Sequence, residues 1–212
     1  FKPDFVWLKN RSLGGYAPRI FDSSRGATNR LQSSTTAANA TEATSLTSFD
    51  ADGFSVGSDV YVNNSGSEFV AWCWKADAGT TSSNADGDIT SDVQVNTRAG
   101  FSIVKWTSTS SSSDTIGHGL GVKPDVVLYK KYSDTGSWFW YTDVIDGSWD
   151  ELILNSNSAA SDFAGTYATS TTFKSVTSSA GADWITYCFA PKAGYSKMGI
   201  YTGNGSTTGP VV

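Results

Sequence analysis

The chain has 212 residues, of which 17% are charged, and its net charge at pH 7 is −5. It has no run of Lys or Arg, so the basic surface of a nucleic-acid-binding protein is not expected. The longest apolar stretches have the length of a strand, which argues against insertion into a membrane. Abundant Gly, Ser and Thr beside 13% aromatic residues are typical of an all-β extracellular or virion protein.

Alternation of apolar and polar residues predicts β-strands along the chain, and no segment shows helical periodicity. Clusters of Gly, Ser, Asn and Asp between the strands predict turns. The predicted strands are, in chain order, 4–9, 16–22, 53–56, 68–75, 101–107, 125–131, 138–143, 151–154, 173–176, 183–190 and 195–202.

The sequence repeats itself imperfectly. The tripeptide Lys-Pro-Asp at 2–4 recurs 121 residues later at 123–125, and the segment 66–74 matches 181–189 at a spacing of 115. Such repetition is more typical of structural or binding proteins than of enzymes, because it multiplies surface rather than building one cleft.

The repeat divides the chain into two homologous units. We expect 1–76 to be a β unit that lacks its first strand, 77–98 to be a polar linker and 99–192 to be a complete β unit. The segment 193–212 begins with a match to 99–102, so it is either the first strand of a third unit or the strand that completes the first. The predicted fold is all-β, with two tandem, internally homologous antiparallel β-sandwich-like units that can share or swap strands.

Residues that both units share are expected to serve the fold. Cys73 and Cys188 occupy equivalent places in a strand that is apolar on both faces, which favours buried free thiols over a disulfide. Trp72 and Tyr187 are equivalent in the same way, so both are predicted to lie in a core.

Three tryptophans of the second unit have no aromatic counterpart in the first unit: Trp138, Trp140 and Trp149. One interpretation is that they still cover a core or a loop. The other is a partly exposed aromatic platform for a glycan or a subunit contact, because the position of Trp140 holds an arginine in the first unit. The residues aligned with the three tryptophans are Ala17, Arg19 and Thr28.

The two units also differ in charge near these tryptophans. Arg25 and Arg30 of the first unit align with Asp146 and Glu151 of the second. These residues are either solvated charges that differ by chance, or parts of faces that meet when units stack and are complementary along the array. The second interpretation predicts that reversing the charge of Arg25 and Arg30 weakens assembly in a salt-sensitive way.

Signals for catalysis are weak. The one histidine, His118, lies in a glycine-rich loop without a His or Cys companion, which favours a loop hydrogen bond over a triad or a zinc site. We keep His118 as a candidate ligand or interface residue.

Acidic residues offer two further patterns. Asp143, Asp146, Asp150 and Glu151 form a cluster that could be imagined as a glycosidase pair, but two of its members align with arginine. The segment 84–88 is rich in oxygen ligands, but its spacing departs from a calcium loop and favours a turn. No catalytic residue, metal or cofactor is therefore expected.

Six strings spread over the chain have a familiar form: FKPDFVWLK (1–9), FDSSRGAT (21–28), DGFSVGS (52–58), FVAWCWKA (69–76), GHGLG (117–121) and GYSK (194–197). They resemble a repeat domain of tail-fibre-like virion proteins from bacteriophages of cyanobacteria and other marine bacteria. The resemblance implies a virion structural protein and brings no catalytic residues with it. The second unit departs from the pattern at 137–151.

These observations together predict a non-enzymatic structural and adhesive segment of a bacteriophage tail fibre or virion appendage, located in the extracellular virion. Its expected partners are other copies of itself, other virion proteins and a host cell-surface glycan. The alternative is a carbohydrate-binding module of a secreted bacterial protein, and a glycan hydrolase is a third interpretation.

Overall fold

A computed structural model describes residues 1–209 of the chain, and the all-β fold predicted from the sequence is confirmed. Within these residues no helix is long and apolar enough to cross a membrane. The elements are β1 (Phe5–Asn10), β2 (Arg19–Asp22), β3 (Asn29–Gln32), β4 (Ala40–Thr41), β5 (Leu46–Asp50), β6 (Gly53–Val56), α1 (Val60–Asn63), β7 (Phe69–Trp74), β8 (Ser82–Asn84), β9 (Ser91–Asn96), β10 (Phe101–Thr107), β11 (Thr115–Gly117), β12 (Val126–Lys131), β13 (Trp138–Thr142), β14 (Asp150–Ile153), β15 (Ser161–Asp162), β16 (Thr172–Lys174) and β17 (Asp183–Phe189).

Antiparallel strands form two large sheets. The first unit supplies a five-stranded sheet with the order β4-β3-β2-β1-β7. The second sheet has eight strands, in the order β15-β14-β13-β12-β17-β10-β9-β8. Its first five strands follow the order of the smaller sheet, so the repeat in sequence is also a repeat in topology.

The two large sheets face each other across one apolar core. The rings of Phe5 and Tyr187 lie 4.6 Å apart in an edge-to-face contact between the sheets. Each unit therefore supplies one layer of a sandwich, and the burial of both layers depends on the other unit. The fully or nearly fully buried residues of this core include Phe5, Ile20, Leu31, Ile103, Val126, Leu128, Trp138, Ile185 and Tyr187.

Small elements cover the outer faces of both sheets. On the five-stranded sheet, Val6 and Leu8 pack with Leu46 of the β5–β6 hairpin and Val62 of α1. On the eight-stranded sheet, the two-stranded β11–β16 sheet and neighbouring loops cover a second apolar cluster. The central strands of each large sheet are thus buried on both faces, which explains why they are apolar on both sides.

The segment 77–98 is not the polar linker that the composition predicts. It contains β8 and β9, and β9 pairs with β10 in the eight-stranded sheet. Its polar residues are used inside the structure. Buried Gln94 donates to Ser23 (3.0 Å) and Ser24 (2.7 Å) of the first unit and accepts a hydrogen bond from the Gly79 N–H (3.1 Å).

The predicted strand at 195–202 does not form in the described part of the chain. Residues Lys192 and Ser196 bridge across a turn, and the segment that follows carries no strand up to residue 209. Completion of the first unit by these residues within the same chain is therefore wrong. Addition to a neighbouring copy stays a prediction, and residues 210–212 of the predicted segment lie outside the described residues.

Candidate functional site

The pairing of β12 with β13 determines which way the two tryptophans of β13 point. This register places Trp140 at the position that Ile20, not Arg19, holds in the first unit. Successive side chains of a strand point to opposite faces, so a slip of one residue reverses the face of each side chain. Trp138 and Trp140 consequently lie on the face that carries the shared core.

Trp138 is fully buried between the sheets. Its indole N–H donates to the carbonyl oxygen of Gln32 at 2.8 Å, and its backbone N–H donates to Asn155 Oδ1 at 2.7 Å. The prediction of a partly exposed ligand contact is wrong for Trp138, which instead fixes the eight-stranded sheet to β3 of the first unit.

Trp149 is also a core residue, with 6% of its surface exposed. It directly precedes β14, and its ring packs 5.6 Å from that of Tyr167 in the outer apolar cluster. The Lys123 ammonium stands 5.6 Å from the Trp149 ring. The predicted surface role is therefore wrong for this tryptophan too.

Trp140 is the tryptophan of the three that reaches the surface. Its half-buried side chain forms one wall of an open groove of about 360 Å³ with a largely apolar lining. A second groove of about 240 Å³ lies against Trp140 on the side of Met198 and Ile200. We call the first of these the Trp140 groove; its lining consists of Trp140, Leu152, Ile153, Leu154, Ser156 and Ser158.

His118 is buried and holds a loop together. Its Nδ1 accepts a hydrogen bond from the Leu120 N–H at 3.1 Å, which leaves Nε2 as the donor to the Thr169 carbonyl oxygen at 3.3 Å. Burial lowers the pKa of His118, so the neutral ring is favoured. The side chain is fully buried and cannot reach an external ligand. The prediction of His118 as a ligand or interface residue is therefore wrong.

The side chain of Arg25 is buried, which excludes it from an exposed stacking face. Its Nε lies 2.6 Å from Asp22 Oδ2, and the same oxygen accepts a 2.7 Å hydrogen bond from the hydroxyl of Tyr187 in the other sheet. Burial alone would lower the pKa of Arg25, but the charges and hydrogen bonds of Asp22 and Tyr187 together outweigh it, and the pKa lies above its usual value. The pair thus joins the two units from inside.

The other three residues of the predicted charge pattern do not meet either. Arg30 approaches Glu42 of its own unit at 4.0 Å. Asp146 is exposed and accepts hydrogen bonds from Ser148, which lower the pKa of its carboxyl group. Glu151 accepts a hydrogen bond from Tyr141. The prediction that Arg25 and Arg30 face Asp146 and Glu151 is therefore wrong within the chain.

Most of the carboxylates weighed for catalysis or metal binding have structural partners, but Asp150 Oδ2 is buried without a hydrogen-bond partner. Asp143 pairs with Lys123, and Asp88 accepts hydrogen bonds from the backbone N–H (3.0 Å) and the hydroxyl (2.8 Å) of Thr115. Among residues 1–209, no group of three or more His, Cys, Asp or Glu side chains is arranged to hold a metal ion.

The prediction that Trp72 lies in a core is wrong. Trp72 on β7 is 46% exposed, although its repeat equivalent Tyr187 is fully buried. The repeat carried a signal for this exposure, because among residues 1–209 no counterpart of β10 covers the outer edge of β7. Free Cys73, on the same strand, is half-buried, whereas free Cys188 is buried.

A family model described as a domain of unknown function (DUF7483) matches residues 1–212. No curated protein and no solved structure matches the chain.

Proposed function

The chain belongs to the DUF7483 family of domains of unknown function, and we propose that it is a non-enzymatic structural and adhesive segment of a bacteriophage tail fibre or similar virion appendage. In this role it lies outside the cell and contributes to attachment to the host surface. Its partners are other copies of itself, other virion proteins and a glycan of the host surface. The observation that carries the adhesive part is the Trp140 groove.

The chemistry of the Trp140 groove suits a carbohydrate. An indole face packs against the C–H groups of a sugar ring, and Ser156 and Ser158 are exposed hydroxyls at the margin of the same groove. The groove is open rather than enclosed, which suits a polymer that passes over the surface better than a small molecule held in a pocket.

The support beneath the groove is rigid. Leu152 pairs with Trp140 across β13 and β14, and Leu154 donates its backbone N–H to the Trp138 carbonyl oxygen at 3.0 Å. Trp138 itself is locked between the two sheets. A binding surface on paired strands that stand on a packed core keeps its shape, which favours adhesion.

The same groove also favours the alternative of a carbohydrate-binding module from a secreted bacterial protein. The two functions differ in the size of the glycan that is bound and in whether the glycan is part of a cell envelope. A fibre segment is expected to bind intact cell envelopes, and a free module is expected to bind isolated oligosaccharides equally well.

The test compares two tryptophan variants. Depletion of the purified chain from solution by cells of marine bacteria, cyanobacteria among them, measures adhesion, and a panel of envelope polysaccharides measures glycan binding. We expect Trp140→Leu to lose at least about tenfold in binding, since the stacking surface goes while the apolar volume is largely retained. Trp72→Leu removes an exposed indole that does not line the Trp140 groove. It is the matched control and is expected to bind as the wild type does.

Binding that survives Trp140→Leu would contradict the assignment to this groove. Binding to isolated oligosaccharides without any binding to envelopes would favour the secreted module. Release of reducing ends from envelope polysaccharide, lost when Asp143 or Asp146 is changed to Asn, would overturn the proposal in favour of a hydrolase.

A further inference from the structure

Strand β7 is the one long open edge of the two large sheets within the described residues. It has six residues and pairs with β1 alone. The other edge strands of these sheets, β4, β15 and β8, have two or three residues each. Natural proteins shorten or cover sheet edges because unpaired backbone groups recruit another strand. The long open edge of β7 therefore favours pairing with a further strand.

The unpaired groups of β7 can be identified from its pairing with β1. The Arg11 N–H donates to the Glu68 carbonyl oxygen at 2.8 Å, and in an antiparallel pair such bonds fall on every second residue. The N–H and C=O groups of Phe69, Ala71 and Cys73 consequently point away from β1. No backbone hydrogen bond reaches these three residues from any other part of residues 1–209.

The second unit shows what occupies this edge when the repeat is complete. The equivalents of Phe69, Ala71 and Cys73 are residues 184, 186 and 188 of β17, and all three pair with β10. Six of the seven residues of β17 are buried, whereas no residue of β7 is. A strand with a sequence like that of β10 is therefore the expected partner of the open edge of β7.

The segment 194–202 carries that sequence. The string at 99–102 (Ala-Gly-Phe-Ser) recurs at 193–196 (Ala-Gly-Tyr-Ser), and both glycines have positive φ, +69° at Gly100 and +72° at Gly194. In the single chain this segment pairs with no strand. Three of its large apolar side chains are left in solvent, since Tyr195 is 69% exposed, Ile200 57% and Tyr201 67%, whereas Met198 packs partly against the core between the sheets.

We propose that residues 195–200 of one copy of this chain add as an antiparallel strand to the open edge of β7 in a second copy. Transfer of the β10–β17 register places Tyr195 opposite Trp74, Ser196 opposite Cys73 and Ile200 opposite Phe69. Tyr195 then covers the exposed side of the Trp74 ring. Met198 and Ile200 extend the apolar cluster beneath β7, to which Cys73 already belongs.

The contact is heterologous, because the donor segment and the acceptor edge are different surfaces of the same chain. Each copy can therefore donate to one neighbour and accept from another, which yields a ring if the rotation closes and a filament if it does not. Strand addition of this kind uses the main-chain hydrogen bonds for affinity and the alternate side chains for register. The inference rests on the structural role proposed above and not on the Trp140 groove.

The first test removes one hydrogen bond that only the incoming strand would make. Ala71→Pro deletes an N–H that points away from β1, and proline is tolerated on an edge strand whose N–H faces solvent. Sedimentation velocity of the whole chain over a range of concentrations is expected to show association for the wild type and at least about a tenfold weaker association for Ala71→Pro. Ala71→Thr, which keeps the N–H, is the matched control and is expected to associate.

The second test reads the register through the native thiol of Cys73. In Ser196→Cys, the new thiol would lie opposite Cys73 of the next copy, at the separation of about 5.5 Å between Cα atoms that a disulfide favours. Mild oxidation is expected to link copies covalently into a ladder on a non-reducing gel. Burial raises the pKa of Cys73, so the reaction is run at mildly alkaline pH.

Two controls separate the register from chance collision. The double variant with Cys73→Ser and Ser196→Cys lacks the acceptor thiol, and Lys197→Cys places a thiol on the opposite face of the added strand. Both are expected to stay unlinked under the same oxidation. The proposal would be overturned by a wild type that sediments as a monomer at all concentrations, or by equal linking through residues 196 and 197. Neither result would bear on the proposal that the Trp140 groove binds a glycan, which has its own test.

Discussion

Strands β7 and β17 descend from the same repeated sequence but have different surroundings. Each is paired on one side, β7 with β1 and β17 with β12, in equivalent registers. Only β17 has a strand on the other side. The comparison teaches that burial in this protein is set by the neighbours of a strand rather than by its own apolar content.

The same contrast extends to individual side chains. Tyr187 lies between the sheets and donates a hydrogen bond to buried Asp22, whereas its equivalent Trp72 is 46% exposed and contacts Trp7 at 5.9 Å between ring centres. An aromatic residue at the same place in the repeat is thus part of the core in one unit and part of the surface in the other.

The largest expected effect comes from truncating these two residues. Tyr187→Ala is expected to lower the free energy of unfolding by about 3–5 kcal/mol, because it leaves a cavity between the sheets and removes one of the two hydrogen bonds to buried Asp22 Oδ2. Trp72→Ala is expected to cost only about 1 kcal/mol, because much of the ring is already in water. Urea unfolding of both variants checks the difference.

Tyr187→Phe serves as a control for the hydrogen bond alone and is expected to lose about 1.5–3 kcal/mol. Equal losses for Trp72→Ala and Tyr187→Ala would show that β7 is covered in solution as fully as β17.

A second prediction compares two equivalent turns. Arg25→Met leaves the Asp22 carboxylate buried without its cation, and we expect a loss of about 3 kcal/mol in unfolding free energy. The equivalent residue Asp146 is exposed, so Asp146→Ala is expected to leave the free energy of unfolding nearly unchanged. Thermal and urea unfolding of the two variants measure the two losses in stability. A larger loss for Asp146→Ala than for Arg25→Met would contradict the buried Arg25–Asp22 pair.

A smaller effect separates the repeated lysines Lys9 and Lys130. Both ammonium groups bind carbonyl oxygens at the end of their strand, but fully buried Lys130 also donates to Thr36 of the other unit at 3.3 Å. Burial, with a smaller contribution from Lys131, lowers the pKa of Lys130 from 10.5 to about 8. Between these two values the unfolded chain holds a proton that the folded chain has released.

Because the unfolded state binds more protons in that window, the contribution of Lys130 to the free energy of unfolding rises with pH from about 8 to about 10.5. We expect this rise in the wild type and its loss in Lys130→Met, read as the difference between the two at each pH. Lys131→Met controls for the change in net charge, and a difference that is flat with pH would contradict the assignment.

Much of the fold was predictable because its strands bury apolar residues in a regular pattern. The limits of β10 follow from the alternation in 101–107, and the repeat identified β1 and β12 as equivalent strands. By contrast, β9 was missed because polar residues such as Gln94 are buried in it. A pattern based on hydrophobicity does not reveal a polar side chain whose hydrogen bonds are satisfied by another part of the chain.

The candidate site was harder to predict, for two reasons. The alignment set Trp140 against Arg19, but the strand register sets it against Ile20, and a slip of one residue reverses the face. Arg19 was moreover a poor indicator of solvent, since it is itself buried, with its guanidinium 3.9 Å from the centre of the Tyr61 ring. Only the register and the packing of the sheets identify Trp140 as the residue that reaches the surface.

The most direct test of the contrast between the two strands is hydrogen exchange at single-residue resolution on the monomeric protein. The amides of Phe69, Ala71 and Cys73 are expected to exchange at close to the rate of an unstructured chain. Their equivalents at 184, 186 and 188 are expected to exchange at least about 1,000-fold more slowly, because β10 pairs with them. Equal protection of the two sets in the monomer would show that β7 already has a partner within the chain and would contradict the open edge.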